Sequence, residues 1–235
     1  MSQRQFRTAM QIYYAAVTEM DAQIGRLLDW IDEQPGLAEN TLIIFSSDNG
    51  PEDIHIAHAG HHAVGSPGPF RGRKRSLYEG GIREPFIARW KGRIPAGRID
   101  RESVIGAVDL LPTLCGLADA ELPKGIEIDG EDVSACLRTR HPHKRAKPLY
   151  WEWRFDGVGR CLDRSPMLAV RDGNWKLLMN PDRSRVELYD IPKQPMELHS
   201  QAEKHPDVVE QLAGKALAWQ ASLPPGPATD RPGSD

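Results

Sequence analysis

An apolar, β-branched run, Thr41-Leu42-Ile43-Ile44-Phe45-Ser46, breaks off into Ser47-Asp48-Asn49-Gly50-Pro51. A run of that length and composition reads as a fully buried strand of the parallel type. The turn after it sets a carboxylate and an amide, both hard oxygen donors, at the strand's C-terminal end. In open α/β sheets that end is where sites are built. Upstream, Met10, Tyr13, Val17, Met20, Ile24, Leu27 and Ile31 recur at intervals of three or four residues. They predict a helix from Phe6 to Glu33 with a broad apolar face suited to a sheet. No proline interrupts it, and Pro35-Gly36 stops it. Helix, short turn and strand make half of a βαβ unit, so the chain reads as α/β.

Farther along, Glu84 to Trp90 reads as a second short strand, and Val104 to Val108 as another apolar run. Asp109 is placed to cap a helix that ends by Leu117 to Asp119. Near residue 140 the basic, proline-flanked HPHKRAKP reads as a connector. It divides the chain into residues 1–140, an α/β part, and residues 141–223, a small antiparallel sheet with a helix. The small sheet comes from four runs, Leu149 to Arg154, Met167 to Val170, Trp175 to Met179 and Val186 to Tyr189. Arg171-Asp172-Gly173-Asn174 between two of them has tight-turn chemistry. Pro206 to Leu223 is the last helical pattern, and residues 224–235 are expected to form a disordered tail.

The balance of 30 basic against 33 acidic residues leaves a formal charge of −3. That total gives no reason to expect a nucleic-acid partner, so any positive field must be local. No segment is long and apolar enough for a membrane helix. No signal peptide is read in the chain as it stands, and the compartment is left open. Cys115, Cys136 and Cys161 are too few and too scattered for a disulfide framework or a zinc pattern. His55, His58, His61 and His62 fall in a glycine-rich loop and are read as solvated or as a substrate rim.

Two segments carry chemistry. Asp48 and Asn49 suit either an ordinary turn or a site for a hard cation such as calcium, which takes about six to eight oxygen ligands. The loop from Arg71 to Arg83 sets Arg71, Arg73, Lys74, Arg75 and Arg83 against Glu79. It is either a solvated basic loop or an oxyanion site. Gly65, Gly68, Gly72, Gly80 and Gly81 would let its backbone approach a ligand closely. Together the two segments suggest a metal-assisted site for sulfate or phosphate.

SSDNGP, GSPGPFRGRKRSLYEGGIREPFIARWKGRIPAG and DLLPTL, followed in order by IDGEDV, PLYWEWR, RDGNWKLL and ELYDI, resemble the C-terminal half of the type I sulfatases. The branch is that of arylsulfatase A and N-acetylgalactosamine-6-sulfatase. The resemblance implies a sulfuric ester hydrolase with an alkaline-phosphatase-like α/β sandwich and a small antiparallel C-terminal domain. It also implies Asp48 and Asn49 as calcium ligands and Lys74 as the catalytic lysine that contacts the sulfate of a sulfate ester or sulfated glycan. Glu79, Gly80, Gly81 and Arg83 match the family motif and are read as loop architecture.

The departures shape the expectation. The family's nucleophile, a formylglycine, is made in a C/S-x-P-x-R motif that none of the three cysteines here begins. The aspartates that complete the family's calcium site have no counterpart either. The chain is therefore expected to carry an incomplete Ca2+ site and to be inactive alone. It should associate with itself or with an N-terminal sulfatase half. Lys74 is flanked by Arg73 and Arg75 where the family often has small residues. Turned inward they would bind a more anionic substrate, such as a sulfated polysaccharide; otherwise they face solvent. A phosphate-ester hydrolase of the same superfamily and a non-catalytic sulfated-glycan-binding module are the alternative readings.

Overall fold

The computed structural model of the protein describes residues 3–52, 55–56, 61–62, 64–153 and 163–224. The histidine loop side chains, Cys161 and the expected tail from 225 on lie outside the described residues. Helix α1 spans Gln3–Glu33 and ends where Gly36 turns with φ 82°. Strand β1, Ile43–Ser46, pairs with β4, Phe86–Arg89, in the register Ile43 opposite Arg89. Between them lie a hairpin of β2, His55–Ile56, and β3, His61–His62, and a single turn of helix, α2, Glu79–Ile82. Among the described residues no helix is long and apolar enough to cross a membrane.

The β1–β4 pair corrects the reading of a fully buried parallel strand. The pairing is antiparallel, and Phe45 and Ile87 on one face stay exposed. An apolar run has the same composition whether its neighbour runs with it or against it. Here the chain leaves β1 and comes back along it as β4. Asp32 near the end of α1 ion-pairs with Arg89 of β4 at 2.5 Å. The apolar side chains of α1 otherwise stay largely in solvent, Ile12, Tyr14 and Trp30 among them, and Ala9 alone of the described helix residues is buried.

Helix α3, Leu110–Leu117, and α4, Ser134–Arg138, close a small core with the end of β4, built on Trp90, Leu117, Val133, Cys136 and Leu137. Asp109 stands where a capping residue would, but its side chain does not cap α3. Its two carboxylate oxygens accept the Gly106 and Glu131 N–H groups at 2.7 Å each and ion-pair with Arg145. A fully buried carboxylate is satisfied best by a guanidinium plus backbone donors, and that outweighs one helix N–H.

The four expected strands of the small sheet are present: β5, Leu149–Glu152; β6, Leu168–Asp172; β7, Trp175–Met179; and β8, Glu187–Asp190. They form an antiparallel meander in chain order. Alternation along each strand sends two sets of side chains to two faces. Leu168, Val170, Leu177, Met179 and Leu188 meet Leu212, Ala213 and Ala216 of α5, Pro206–Ser222. Ala169, Leu178 and Tyr189 point the other way and meet Leu77 and Tyr78 of the loop that precedes α2. The basic loop is thus one cover of the small sheet, and α5 is the other.

Asp172 pairs with Trp175, so Gly173 and Asn174 make the whole β6–β7 turn. Of the two, Gly173 alone has positive φ, 57°, the arrangement of a turn with glycine at its first central position. Gly173→Ala should cost about 1–2 kcal/mol, because a Cβ is strained there. A lowered urea midpoint at unchanged slope would show it. A midpoint equal to wild type would mean that the turn tolerates the side chain.

Candidate active site

The turn after β1 is shaped by its own side chains. Asp48 Oδ1 accepts the Asn49 N–H at 3.0 Å, Ser47 Oγ donates to the Asn49 carbonyl at 3.1 Å, and Asn49 Nδ2 donates to the Gly50 carbonyl at 3.2 Å. The second Asp48 oxygen and the Asn49 amide oxygen therefore take no donor from the described residues. Glu84 lies against the same turn. Burial raises its carboxyl above the usual range, the charge of Asp48 adds to the rise, and Ser47 offsets part of it. Its Oε1 is buried and has no hydrogen-bond partner among the described residues. Hard oxygens and an unsatisfied carboxylate fit the donor chemistry of a calcium ion. They are too few to hold one: no group of three or more His, Cys, Asp or Glu among the described residues could do so.

Backbone contacts bind this turn to the basic loop. The Gly50 N–H donates to Gly81 O at 3.0 Å, Lys74 N–H to Pro51 O at 3.0 Å, and Gly80 N–H to Arg71 O at 2.7 Å. The chain passes so close that side chains are excluded. A Cβ on Gly50 would lie 2.0 Å from Gly80 O, one on Gly80 2.3 Å from Gly72 O, and one on Gly81 2.1 Å from Ser76 O. At these positions the glycines let the backbone approach itself, not a ligand as the sequence suggested. Gly65 and Gly72 are likewise packed, against Pro51 and against Ser76 and Tyr78.

This packing places Lys74, the candidate catalytic lysine, beside the Asp48–Asn49 turn. Lys74 is half-buried, and its ammonium has no carboxylate or carbonyl partner among the described residues. Its neighbours are engaged: Arg73 Nη1 donates to the Glu52 carbonyl at 3.1 Å, and Arg75 forms a two-point ion pair with the Glu52 carboxylate. Arg75 does so from left-handed backbone, φ 73°, a conformation that costs a side-chain-bearing residue about 1–2 kcal/mol.

The far side of the loop is anchored in the small sheet, where Arg71 and Glu79 of the basic loop meet Lys176, Glu187, Tyr189 and Glu197, to which the sequence assigned no role. Tyr78 is fully buried, with its hydroxyl donating to Glu187 at 2.8 Å; Tyr189 donates to the same carboxylate at 2.8 Å. Arg71 lies over the Tyr78 ring at 3.8 Å and donates to Tyr189 Oη and the Glu197 carbonyl. Beneath them Lys176 sits between two buried carboxylates, 2.9 Å from Glu79 and 2.9 Å from Glu197. The Glu79 N–H also donates to Glu197 Oε2 at 2.6 Å. Burial pushes the Glu79 carboxyl up, but Lys176, Arg171 and Arg83 outweigh it and hold the group below the usual range. Glu197 ends above that range, because burial exceeds the pull of Lys176 and the Glu79 N–H. The one trace in the sequence is a lysine on an apolar strand, Trp175-Lys176-Leu177, in a position that alternation sends inward.

A family model described as Sulfatase matches residues 2–120, and a second, described as N-sulphoglucosamine sulphohydrolase, C-terminal, matches residues 70–221. The chain belongs to the sulfatase family. The chain is 42% identical to human arylsulfatase A over 161 residues, 68% of this chain and 29% of that protein. It is 30% identical to rat steryl-sulfatase over 244 aligned positions, 92% of this chain and 41% of the relative. The structure of the sulfatase PsFucS1 from Pseudoalteromonas sp. superposes with a TM-score of 0.67 at 28% identity, covering 88% of this chain and 42% of that one. The fold is accordingly the alkaline-phosphatase-like fold of the sulfatases. This sulfatase chain spans less than half the length of these relatives. The lysine loop lies in the stretch that both family models match.

Proposed function

We propose that the chain contributes one side of a sulfate-ester hydrolase centre, with Asp48 and Asn49 as ligands of a calcium ion and Lys74 as the cation that meets the sulfate. The observation that carries this reading is the hydrogen bond from Lys74 N–H to Pro51 O. It ties the backbone of Lys74, whose side chain takes no partner among the described residues, to the turn that presents the two hard oxygens. Lys74, as a compact point charge, stabilises the charge that builds on the non-bridging sulfate oxygens as the S–O bond to the alcohol breaks. Calcium, when bound, supplies a divalent charge to the same oxygens. The relatives are named for a steryl and an aryl group, which share only the sulfate. That is the part of the ester these residues address.

In this proposal the nucleophile and the remaining calcium ligands are supplied by residues other than these 235. The exposed apolar face of α1 and the outer face of β1 and β4 are covered, in this proposal, by the rest of a sulfatase domain. The test has two arms. With the rest of the domain supplied, calorimetric titration should show calcium binding that Asp48→Ala abolishes. Aryl sulfate should not be turned over by the chain alone. Once the rest of the domain is supplied, it should be turned over with kcat/KM lowered about 100-fold by Lys74→Ala. Calcium heats unchanged by Asp48→Ala, or turnover of aryl sulfate but not of aryl phosphate by the chain alone, would count against this assignment.

A further inference from the structure

Residues 51 and 52 grip all three members of the basic triplet. Pro51 O takes the Lys74 N–H at 3.0 Å, Glu52 O takes Arg73 Nη1 at 3.1 Å, and the Glu52 carboxylate takes the fork of Arg75 through both oxygens, Nη2 to Oε2 at 3.1 Å. The Arg75 and Glu52 side chains are only 18% and 19% exposed. A two-point pair between a planar guanidinium and a carboxylate fixes direction as well as distance. Arg75 holds that geometry from a backbone conformation that glycine would adopt without strain.

We propose that Glu52 is a positioning and specificity residue of this site: it draws Arg73 and Arg75 onto residues 51–52 and leaves Lys74 as the cation of the triplet that is offered to substrate. The inference rests on the sulfate-ester reading and narrows it. A site with three inward cations would grip a polyanionic chain. A site with one ammonium beside two hard oxygens takes a single sulfate group. Glu52 also lies only three and four residues beyond Asn49 and Asp48, so the clamp that restrains the arginines fixes Lys74 against the same turn.

Two probes and two variants test this. The probes are inorganic sulfate and a heparin hexasaccharide. Lysines carrying ¹³C-methyl groups give Lys74 its own NMR resonance, identified by its loss in Lys74→Arg. Glu52→Gln removes the carboxylate charge that faces Arg75 without changing the shape of the partner. It should bind the hexasaccharide about fivefold more tightly, the worth of one unit charge in contact through water, with steeper salt dependence. The Lys74 resonance should move in the same variant. Glu52→Gln with Arg75→Gly removes the pair together and relieves the backbone, so it should fold and return hexasaccharide affinity to the wild-type value. Unchanged affinity and an unmoved Lys74 resonance in Glu52→Gln would overturn the proposal. So would a large loss of affinity in the double variant, which would make Arg75 a direct ligand. If inorganic sulfate moves the Lys74 resonance in no variant, the sulfate-ester reading fails instead, and the hexasaccharide comparison still reports on the clamp.

Discussion

Lys176→Met should cost the fold about 3–5 kcal/mol, the price of leaving buried carboxylates without their counter-charge. Lys176 and Glu197 are fully buried and Glu79 is 3% exposed, so no water can replace the ammonium. Methionine fills much of the space, which isolates the electrostatic loss from a cavity. The pair does not prove that charge is favourable here in absolute terms, because a buried ion triad repays its own desolvation only in part. The neutral variant Lys176→Met, Glu79→Gln, Glu197→Gln should therefore recover most of the loss. The sign with pH follows. Burial already raises the Glu197 carboxyl, and Lys176→Met removes the ammonium that pulls it down, so its penalty is present at neutral pH. The penalty fades as pH falls through that raised value and the group takes up a proton. Urea unfolding at pH 7 and near pH 5 measures both effects. A single variant within about 1 kcal/mol of wild type would show that the lysine is not what holds the two carboxylates.

The network explains what could and could not be read from the amino-acid order. Four short runs between turn residues were legible as strands because alternation and turn chemistry are local. The same is true of α1, whose rhythm runs unbroken until Pro35-Gly36. Whether Thr41 to Ser46 paired in parallel was not legible, since it depends on where the chain returns some forty residues later. The candidate site divides the same way. Asp48, Asn49 and Lys74 each stand in a segment whose composition points to oxyanion or cation chemistry. Their meeting depends on Gly50 and Gly81, whose backbones bond across the intervening loop. Glu79 and Lys176 are 97 residues apart, and nothing near either one names the other. Arg75 would have passed for a free surface cation, because the carboxylate that claims it lies 23 residues away across a loop.

Gly50→Ala is the substitution with which this division can be tested, because it touches no side chain of the candidate site. Its Cβ would stand 2.0 Å from Gly80 O and 2.9 Å from the Gly80 carbonyl carbon and Gly81 Cα. Those are backbone atoms and cannot swing aside. Room can be made only by parting the Asp48 turn from the lysine loop, which breaks the Gly50 to Gly81 bond and strains Lys74 N–H to Pro51 O. Overpacking of this kind, with a lost buried hydrogen bond, should cost about 3 kcal/mol. Once the rest of the domain is supplied, the cost should come with weaker calcium binding, since Asp48 and Asn49 move with the turn. Gly25→Ala is the control: it lies in α1 with nothing within 4 Å of a new Cβ, and on an exposed helix it should stabilise by up to about 1 kcal/mol. Unfolding and calcium titration of both variants separate a general intolerance of glycine replacement from the loss of one close approach. If Gly50→Ala unfolds at the wild-type urea midpoint and binds calcium as the wild type does, the two halves of the site are not held together by this backbone contact. The positioning of Lys74 would then have to come from Glu52 and the anchored sheet alone.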